Sequence, residues 1–418
     1  MRERNWAGNV LFSARRLHRP ASIEALQEIV AAARHIRVLG SRHSFNTIAD
    51  SSELVSLALL PGELHLDRAA GTASCGAGLT YGELARQLHA AGLALANLGS
   101  LPHISVGGSV ATATHGSGDR NGNLATAVAG LEMVTSTGEL IAIRRGDPDF
   151  DGMVVGLGSL GVVTRIALDV EPAYEISQRV YENLSWHSLH AHFDELTAAG
   201  YSVSVFTRWG DEAGQIWVKR RVPDVLAPEP DELLGARAAT RQLHPIAGGD
   251  PDACTLQLGT PGPWHERLPH FRLEFTPSAG AELQSEYLLP RGHARAAIEA
   301  VRRLAPRIRP LLYIAEIRTV AADELWMSPQ YGRDTVALHF TWQRDQPRVE
   351  HLLVELEDAL APFAPRPHWG KLFLAEAAAI APRYERLADF ARLVARLDPR
   401  RAFHNSWLET RVLGPPGR

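Results

Sequence analysis

In the first third of the chain, apolar positions at helical spacing alternate with short runs of apolar residues. Across residues 21–33 the apolar side chains recur three and four positions apart, and Ser22 stands where a helix N-cap belongs. The run at residues 36–39 predicts a short buried strand that leads into a turn at Gly40. This pattern predicts a domain of mixed helix and strand.

The next part of the chain repeats this mixture. Thr80 and Glu83 have the spacing of a capping box, and apolar residues at helical spacing follow until Gly92, so we predict a helix that ends there. Strands are predicted at residues 131–135, 140–144 and 162–170.

The pattern changes at Pro172. The region that follows shows the two-residue alternation typical of strands, and helical spacing returns near the C-terminus. We therefore expect three parts: residues 1–172, residues 173–375, and a segment of residues 376–418. The last part is too short to fold alone, so it should pack back on the first.

The composition excludes several classes of partner. The chain has 418 residues, of which 45% are hydrophobic and 22% are charged, and its formal net charge is −4. This balance shows no basic patch for nucleic acid or an anionic membrane. No apolar stretch approaches the roughly 20 residues of a membrane span, and the N-terminus does not resemble a signal peptide. We expect a cytoplasmic protein.

The cysteines and lysines are few. Cys75 and Cys254 form neither a CxxC pair nor a Cys/His cluster, so we expect buried thiols and no metal site. Lys219 and Lys371 are the only lysines in the sequence. The other basic residues are arginine, so these two positions raise the question of whether a point charge on a flexible stem is required there.

Glycine occurs in two kinds of motif. Residues 156–161 fit the dinucleotide fingerprint G-x-G-x-x-G, but a strand follows them where that fingerprint needs a helix N-terminus, so we reject a Rossmann site. Residues 40–44 form a glycine turn that either binds an anion through successive N–H groups or is a plain turn with an exposed His43. Residues 98–118 are rich in glycine and hydroxyl side chains, which favours one large polar ligand.

These two segments carry a resemblance to a known family. Residues 38–46 (VLGSRHSFN) and 100–118 (SLPHISVGGSVATATHGSG) resemble the FAD-binding domain of the vanillyl-alcohol-oxidase flavoprotein superfamily. Strings such as residues 282–287 (ELQSEY), 331–342 (YGRDTVALHFTW) and 366–371 (RPHWGK) are most similar to its bacterial alditol oxidase (xylitol oxidase) family. The resemblance implies an α+β fold with an FAD-binding domain (1–172), a substrate-binding cap domain with an antiparallel sheet (173–375), and a C-terminal segment (376–418) that returns to the first.

The resemblance also implies how FAD is held. His43 would be bonded covalently to the flavin 8α-methyl carbon. The other residues implied to bind the cofactor are Gly40, Ser41, Arg42, Ser44, Phe45, Asn46, Gly99, Ser105, Gly108, Thr112, Thr114, His115, Gly118, Gly158, Gly161 and Val163. Many relatives have glycine where this chain has Arg42, so a positive φ there would strain the arginine.

Two predicted strands carry the candidate chemistry. Alternation places Glu316 with Arg318 on one face, and His339 with Thr341 on one face. From the residues alone, the alternative is a polar sheet that faces solvent. The resemblance favours a substrate site, in which Glu316, Arg318, Thr341 and Ser100 would bind hydroxyl groups.

Three of the side chains would take part in the reaction. His339 is the candidate proton acceptor, because its ordinary pKa lies near neutrality. Lys371 would place a positive charge near the flavin N1/C2 edge, unless it is a surface lysine, and Arg318 would act with it.

The resemblance implies an FAD-dependent oxidase that acts on CH–OH groups with oxygen as acceptor. It would oxidise the terminal hydroxyl of polyols such as xylitol or sorbitol to the aldose, by hydride transfer to flavin N5, and reduce O2 to H2O2. The alternative within the superfamily is an aldonolactone oxidase or dehydrogenase. The alternative from another class is a non-catalytic sugar- or nucleotide-binding protein. We expect a monomer whose partners are a small polyol and O2.

Overall fold

The computed structural model describes residues 3–222, 230–275 and 281–414. Most predicted elements of the first third are present. Helix α1 (Ile23–Ala32) has Ser22 as its N-cap, and helix α2 (Tyr81–Ala90) begins with the predicted capping box of Thr80 and Glu83. Gly92 follows that helix with φ +74°, a conformation that glycine adopts without strain.

Two sheets lie in the N-terminal part of the described chain. The first is a parallel sheet in the order β1-β3-β2, and the second is antiparallel in the order β4-β5-β9-β7-β8. Strands β6 and β10 form a separate, short antiparallel pair. The strands are β1 (Arg16–His18), β2 (Ile36–Val38), β3 (Glu53–Val55), β4 (His65–Asp67), β5 (Thr72–Gly76), β6 (Leu93–Ala94), β7 (Val128–Val134), β8 (Leu140–Arg144), β9 (Val162–Asp169) and β10 (Glu171–Pro172).

The predicted strands differ from these mainly at their ends. Strand β7 starts three residues earlier than predicted, and strand β9 ends one residue earlier. Strand β9 begins directly after Gly161, so the glycine motif at residues 156–161 leads into a strand, as the rejection of a Rossmann site required.

The central part of the described chain forms one larger antiparallel sheet. Its order is β14-β15-β11-β13-β12-β18-β19-β17-β20, and β16 pairs with β11 outside this path. The strands are β11 (Glu175–Leu184), β12 (Ser202–Thr207), β13 (Gly214–Val222), β14 (Glu232–Leu233), β15 (Ala236–Ala238), β16 (Gly262–Pro263), β17 (Glu282–Pro290), β18 (Leu312–Val320), β19 (Thr335–Gln343) and β20 (Arg366–Pro367).

The remaining helices are mostly short. They are α3 (Val106–Ala111), α4 (Phe150–Val154), α5 (Trp186–Ala191), α6 (Phe193–Thr197), α7 (Ala294–Arg303), α8 (Ala305–Ile308), α9 (Gln346–Leu360), α10 (Ala377–Ile380), α11 (Leu387–Leu397) and α12 (Ser406–Leu408). Single turns of 3-10 helix occur at Leu124–Ala127, Pro251–Ala253, Trp264–Glu266, Arg291–His293, Ala361–Phe363 and Ala381–Arg383, and a π-helical turn at Glu409–Leu413.

One face of the central sheet is apolar. Leu338, Phe340 and Trp342 alternate along β19, are fully buried, and belong to the same core as the buried residues of α7 and α9. Alternation along a strand sends the intervening side chains to the opposite face. The helices therefore cover one face, and the polar side chains of these strands lie on the other.

The C-terminal segment contacts the N-terminal sheets. The N–H of Ile36 in β2 donates to Ala402 O, and Arg37 donates to Phe403 O at 2.7 Å. Arg37 also donates to Ile48 O and Leu157 O, and it is 2% exposed. These contacts agree with the expectation that the C-terminal segment packs on the first domain. The domain boundaries at residues 172 and 375 stay a prediction.

We predict that Arg37→Met lowers the free energy of unfolding by about 2 to 4 kcal/mol, because three buried carbonyls lose a charged donor. Urea denaturation measures the change. The control is Arg16→Met, since Arg16 lies on β1 with a largely exposed side chain, 4.0 Å from Glu53. Equal destabilisation by the two substitutions would contradict the prediction.

Candidate functional site

A large cavity lies where the glycine-rich segments meet the polar face of the central sheet. Its volume is about 2170 Å³, which includes space open to solvent. The wall of the cavity combines the turn at residues 40–45, the segment around α3, and side chains of β12, β17, β18 and β19. Both predicted ligand-binding regions therefore share one space.

The strand register brings acidic and imidazole side chains into one row. His339 on β19 pairs with Glu316 on β18 and with Glu286 on β17, and Glu316 pairs with Phe206 on β12. Residues paired across neighbouring strands share a face of the sheet. Glu316 and Arg318 are 4% and 5% exposed, so the alternative of a polar sheet that faces solvent is wrong.

Glu286 lies at the centre of the charged cluster. Arg318 Nη2 and Lys371 Nζ each donate to its carboxylate at 2.6 Å, and His115 Nε2 lies 3.3 Å from Oε1. Burial alone would raise the pKa of Glu286, but Lys371, His115 and Arg318 together hold it well below its ordinary value. The side chain is therefore a carboxylate at neutral pH.

Glu316 is a second buried carboxylate in the cluster. His270 Nε2 lies 2.9 Å from Oε1, and Arg318 Nε lies 3.6 Å from the same oxygen. Burial favours the neutral acid, but the charge of Arg318 and the contact with His270 keep the pKa of Glu316 below its ordinary value. Arg318 thus stands between two carboxylates.

Lys371 connects Glu286 to His339. Its Nζ is 2.8 Å from His339 Nδ1, and His339 Nε2 is 3.1 Å from Thr341 Oγ1. Burial and the positive charge of Lys371 lower the pKa of His339 to about 3, so the ring is neutral. The side chain of Lys371 is 14% exposed, and the alternative of a surface lysine is therefore wrong.

The turn at residues 40–45 packs against the segment before α3. Ser105 N donates to Ser41 Oγ at 3.0 Å, and a Cβ atom at Gly40 would lie 2.6 Å from Ser105 Oγ. Arg42 has φ +67°, which confirms that this position is strained for an arginine. Its guanidinium pairs with Glu3 at 2.7 Å, and its carbonyl accepts from Trp6 N.

His43 has a notable environment in this turn. Its ring stacks on Trp6 at 5.2 Å between ring centroids. Among the described residues, neither ring nitrogen has a hydrogen-bond partner, although both are shielded from solvent. Burial, and secondarily the nearby His103, lower the pKa of His43 to about 4. A neutral imidazole with an available nitrogen therefore lies in the cavity wall.

Most of the predicted site residues line the cavity. Those in its wall are Gly40, Ser41, Arg42, His43, Ser44, Phe45, Ser100, Ser105, Gly108, Thr112, Thr114, His115, Gly158, Gly161, Val163, Glu316, Arg318, His339, Thr341 and Lys371.

Three predicted cofactor-binding residues are not in the wall that the described residues form. Asn46 donates to Trp369 O and Lys371 O, so it supports the segment that carries Lys371. The N–H of Gly118 donates to Thr319 O and joins the glycine segment to β18. A Cβ atom at Gly99 would meet Ile104, Thr114 and His115 at 3.7 to 3.8 Å, which is ordinary contact.

Sequence reasoning missed Glu286 and His270. Gln284 and Glu286 alternate with Leu283, Ser285 and Tyr287 along β17, so the period-two argument used for β18 and β19 would have found Glu286. His270 lies outside any strand, and no local pattern marks it.

The described residues contain no group of three or more His, Cys, Asp or Glu side chains placed to hold a metal ion. None of their helices is long and apolar enough to cross a membrane.

Two family models match the chain. The first, an FAD binding domain, matches residues 14–144, and the second, D-arabinono-1,4-lactone oxidase, matches residues 281–411. The first match covers the glycine turn and the α3 segment, and the second covers β17, β18, β19 and Lys371.

The chain is also similar to characterised proteins over its whole length. Alditol oxidase from a Streptomyces species is 51% identical over 97% of this chain and 97% of its own. L-gulono-1,4-lactone dehydrogenase from Mycobacterium tuberculosis is 28% identical over 98% of this chain and 99% of its own. The solved structure of cholesterol oxidase from B. sterolicum has a TM-score of 0.81 at 14% identity, and the match covers 99% of this chain and 96% of that one. The last likeness shows the fold alone, and it supports the α+β class.

We predict that Glu286→Gln lowers the free energy of unfolding by about 3 to 5 kcal/mol at pH 7, because two buried cations lose their shared carboxylate. The folded-state pKa of Glu286 is depressed, so its contribution is fully present above its ordinary value of 4.5, begins to fall below that value and is lost only as the pH falls through the folded-state pKa. Urea denaturation at pH 7 and at about pH 3 measures the change.

The control for this prediction is Glu299→Gln, which removes a partly exposed pair with Arg302. It should cost less than about 1 kcal/mol at either pH. A Glu286→Gln effect of the same size at both pH values would contradict the account of the charged cluster.

Proposed function

The chain belongs to the alditol oxidase family of FAD-dependent oxidoreductases, and on that premise we propose that it oxidises the terminal hydroxyl of polyols such as xylitol or sorbitol to the aldose, with reduction of O2 to H2O2. The observation that carries the proposal is the single cavity in which Glu316, Arg318 and Thr341 face the glycine-rich turn. An aldonolactone as substrate is the weaker alternative, because L-gulono-1,4-lactone dehydrogenase is 28% identical over the chain and alditol oxidase is 51% identical.

The residues of the cavity fit FAD. Gly107 and Gly108 line the cavity, and a Cβ atom at Gly107 would lie 3.0 Å from Ala77, which is a tight contact that favours glycine there. The available nitrogens of His43 fit a bond to the cofactor. We therefore infer that residues 40–45 and the α3 segment hold FAD and that His43 is its covalent attachment point. FAD supplies a two-electron acceptor that takes a hydride from carbon and passes the electrons to O2.

The charge of the cluster fits an uncharged substrate. Glu286 and Glu316 are balanced by Arg318 and Lys371, while burial keeps His339 neutral. A charged substrate would add an unpaired buried charge, which costs free energy. A polyol adds only hydroxyl groups, which the carboxylate of Glu316, the guanidinium of Arg318 and the hydroxyl of Thr341 can bind.

The near-neutral pKa that made His339 the candidate acceptor is not what the structure gives, because burial and Lys371 lower it to about 3. The ring is neutral and can accept a proton, but it is a weak base. Its Nδ1 lies 2.8 Å from Lys371 Nζ, so this nitrogen can take a proton only when Lys371 donates elsewhere. Lys371 Nζ also donates to Glu286 Oε2 at 2.6 Å, and this second bond holds the ammonium in place. We propose that Lys371 releases Nδ1 but keeps its bond to Glu286 while His339 accepts the hydroxyl proton, and that Arg318 and Lys371 favour developing negative charge.

We propose that the protein acts as a monomer with a polyol and O2 as its partners. Cys75 and Cys254 are both buried and free, which supports a reducing, cytoplasmic location.

We predict that the purified protein produces H2O2 with xylitol or sorbitol and at least about tenfold less with L-gulono-1,4-lactone, because the cluster is arranged for a chain of hydroxyls. A peroxidase-coupled assay measures the product. Glu316→Gln should raise the KM for xylitol about tenfold with a smaller change in kcat, since it weakens ground-state binding. Faster oxidation of the lactone than of either polyol would overturn the proposal.

We predict that His43→Ala removes flavin fluorescence from the denatured protein band, while part of the flavin stays bound in the native protein through the remaining contacts of the turn. The control is His103→Ala, since His103 lies close to His43 but contacts Leu273 O. It should keep the covalent flavin. Flavin still attached in the His43→Ala variant would refute the attachment point.

A further inference from the structure

Lys219 is a buried lysine that the proposed reaction does not use. It lies on β13, pairs with Ser202 of β12, and is 1% exposed. It is not part of the cavity wall that the described residues form. Burial of an ammonium costs free energy unless each of its N–H groups has an acceptor. The acceptors around Lys219 therefore indicate its role.

The ammonium has three acceptors in one segment. Lys219 Nζ donates to Leu268 O at 2.5 Å and to Pro269 O at 3.0 Å, and it lies 3.3 Å from His270 Nδ1. On the other side of the ring, His270 Nε2 lies 2.9 Å from Glu316 Oε1. One imidazole therefore separates the lysine from a carboxylate of the cavity.

The chemistry of these partners determines the tautomer of His270. Burial and the charge of Lys219 lower the pKa of His270 to about 4, so the ring is neutral and has one N–H. The carboxylate of Glu316 can only accept, so that N–H must be at Nε2. Nδ1 then carries the lone pair, and Lys219 must donate to it.

The ring itself is held firmly. Phe206 and Trp217 pack edge to face against it, with ring centroids at 5.2 and 5.4 Å. The backbone N–H of His270 donates to Ser100 O, and its carbonyl accepts from Thr255 N. The ring has a further, longer polar contact of 3.4 Å between Nε2 and Ser204 Oγ. His270 therefore cannot turn away from Glu316 without breaking these contacts.

We propose that Lys219 is a positioning residue for polyol binding, which acts through His270 to hold Oε1 of Glu316 and so presents Oε2 to a substrate hydroxyl. This inference rests on the proposed function, in which Glu316 binds the polyol. Among the described residues, His270 and Arg318 both approach Oε1, which leaves Oε2 for the substrate.

Lys219, His270 and Glu316 form a relay of hydrogen bonds, and the opposite charges of Lys219 and Glu316 at its two ends stabilise each other. Burial lowers the pKa of Lys219 to about 7, and the negative charge of Glu316 raises it. The carboxylate of Glu316 thus favours the protonated form of Lys219. Lys219 in turn orients the His270 ring, which donates to Glu316.

The first test compares His270→Leu with His270→Gln in the holoenzyme. The leucine variant removes the donor and should raise the KM for xylitol about tenfold, with a smaller change in kcat and unchanged flavin content. The amide N–H of the glutamine variant can donate where Nε2 does, so its KM should stay within about threefold of the wild type. The control His265→Leu alters a half-buried histidine outside the cavity wall and should leave KM unchanged.

The second test examines Lys219 itself. Lys219→Met should raise KM about tenfold, and the double variant with Glu316→Gln should have the KM of Glu316→Gln alone, because both changes act on one carboxylate. Multiplying effects, or a folded Lys219→Met variant with wild-type KM, would overturn the proposal. Nitrogen-15 spectra of histidine-labelled wild-type protein should show His270 with its proton at Nε2, and a proton at Nδ1 would also overturn it.

The outcomes separate this proposal from the proposed function. If Glu316→Gln leaves KM unchanged, the binding role of Glu316 fails. If Glu316→Gln raises KM but His270→Leu does not, only the relay fails. Should Lys219→Met not fold, the comparison of His270→Leu with His270→Gln and the tautomer of His270 decide the question.

Discussion

The buried carboxylate of Glu286 is the constraint on which the rest of the site depends. It lies on β17, and its partners come from β18, from the segment after β20 and from the glycine-rich segment. A carboxylate that is buried away from water costs free energy unless cations pair with it in good hydrogen-bonding geometry. Glu286 therefore holds Arg318 and Lys371 in fixed positions and joins the sheet to the segment that carries His115.

The sheet provides the frame for these charges because its two faces differ. Helices α7 and α9 cover the apolar face, so the polar side chains of β17, β18 and β19 are directed to the cavity. The antiparallel register then sets Glu286, His339 and Glu316 side by side. The result is a cluster with balanced charges, which suits a neutral substrate rich in hydroxyls.

The other wall of the cavity depends on the backbone. Gly40 lets the turn approach Ser105 of the segment before α3, and Arg42 accepts a strained positive φ in the same turn. Strain of this kind persists where neighbouring contacts hold it, and here Glu3 and Trp6 do so. The turn thereby presents His43 to the cavity with its nitrogens available.

The sequence alone determined the local features of this protein. Ser22 and the pair Thr80 and Glu83 marked helix starts, the strand after Gly161 excluded a Rossmann site, and alternation put Glu316 with Arg318 on one face. Each of these depends on residues a few positions apart. The motifs of residues 38–46 and 100–118 added the superfamily, and the strings at residues 282–287, 331–342 and 366–371 added the family.

Only the tertiary structure decided which charges meet. Whether Glu316 faces solvent or a cavity depends on what covers the sheet, and the central place of Glu286 depends on strand register and on Lys371, 85 residues away. His270 reaches Glu316 from a segment outside the strands, with Lys219 behind it on β13. Periodicity carries no information about such pairs, because burial and long-range packing set the free energy of a charge.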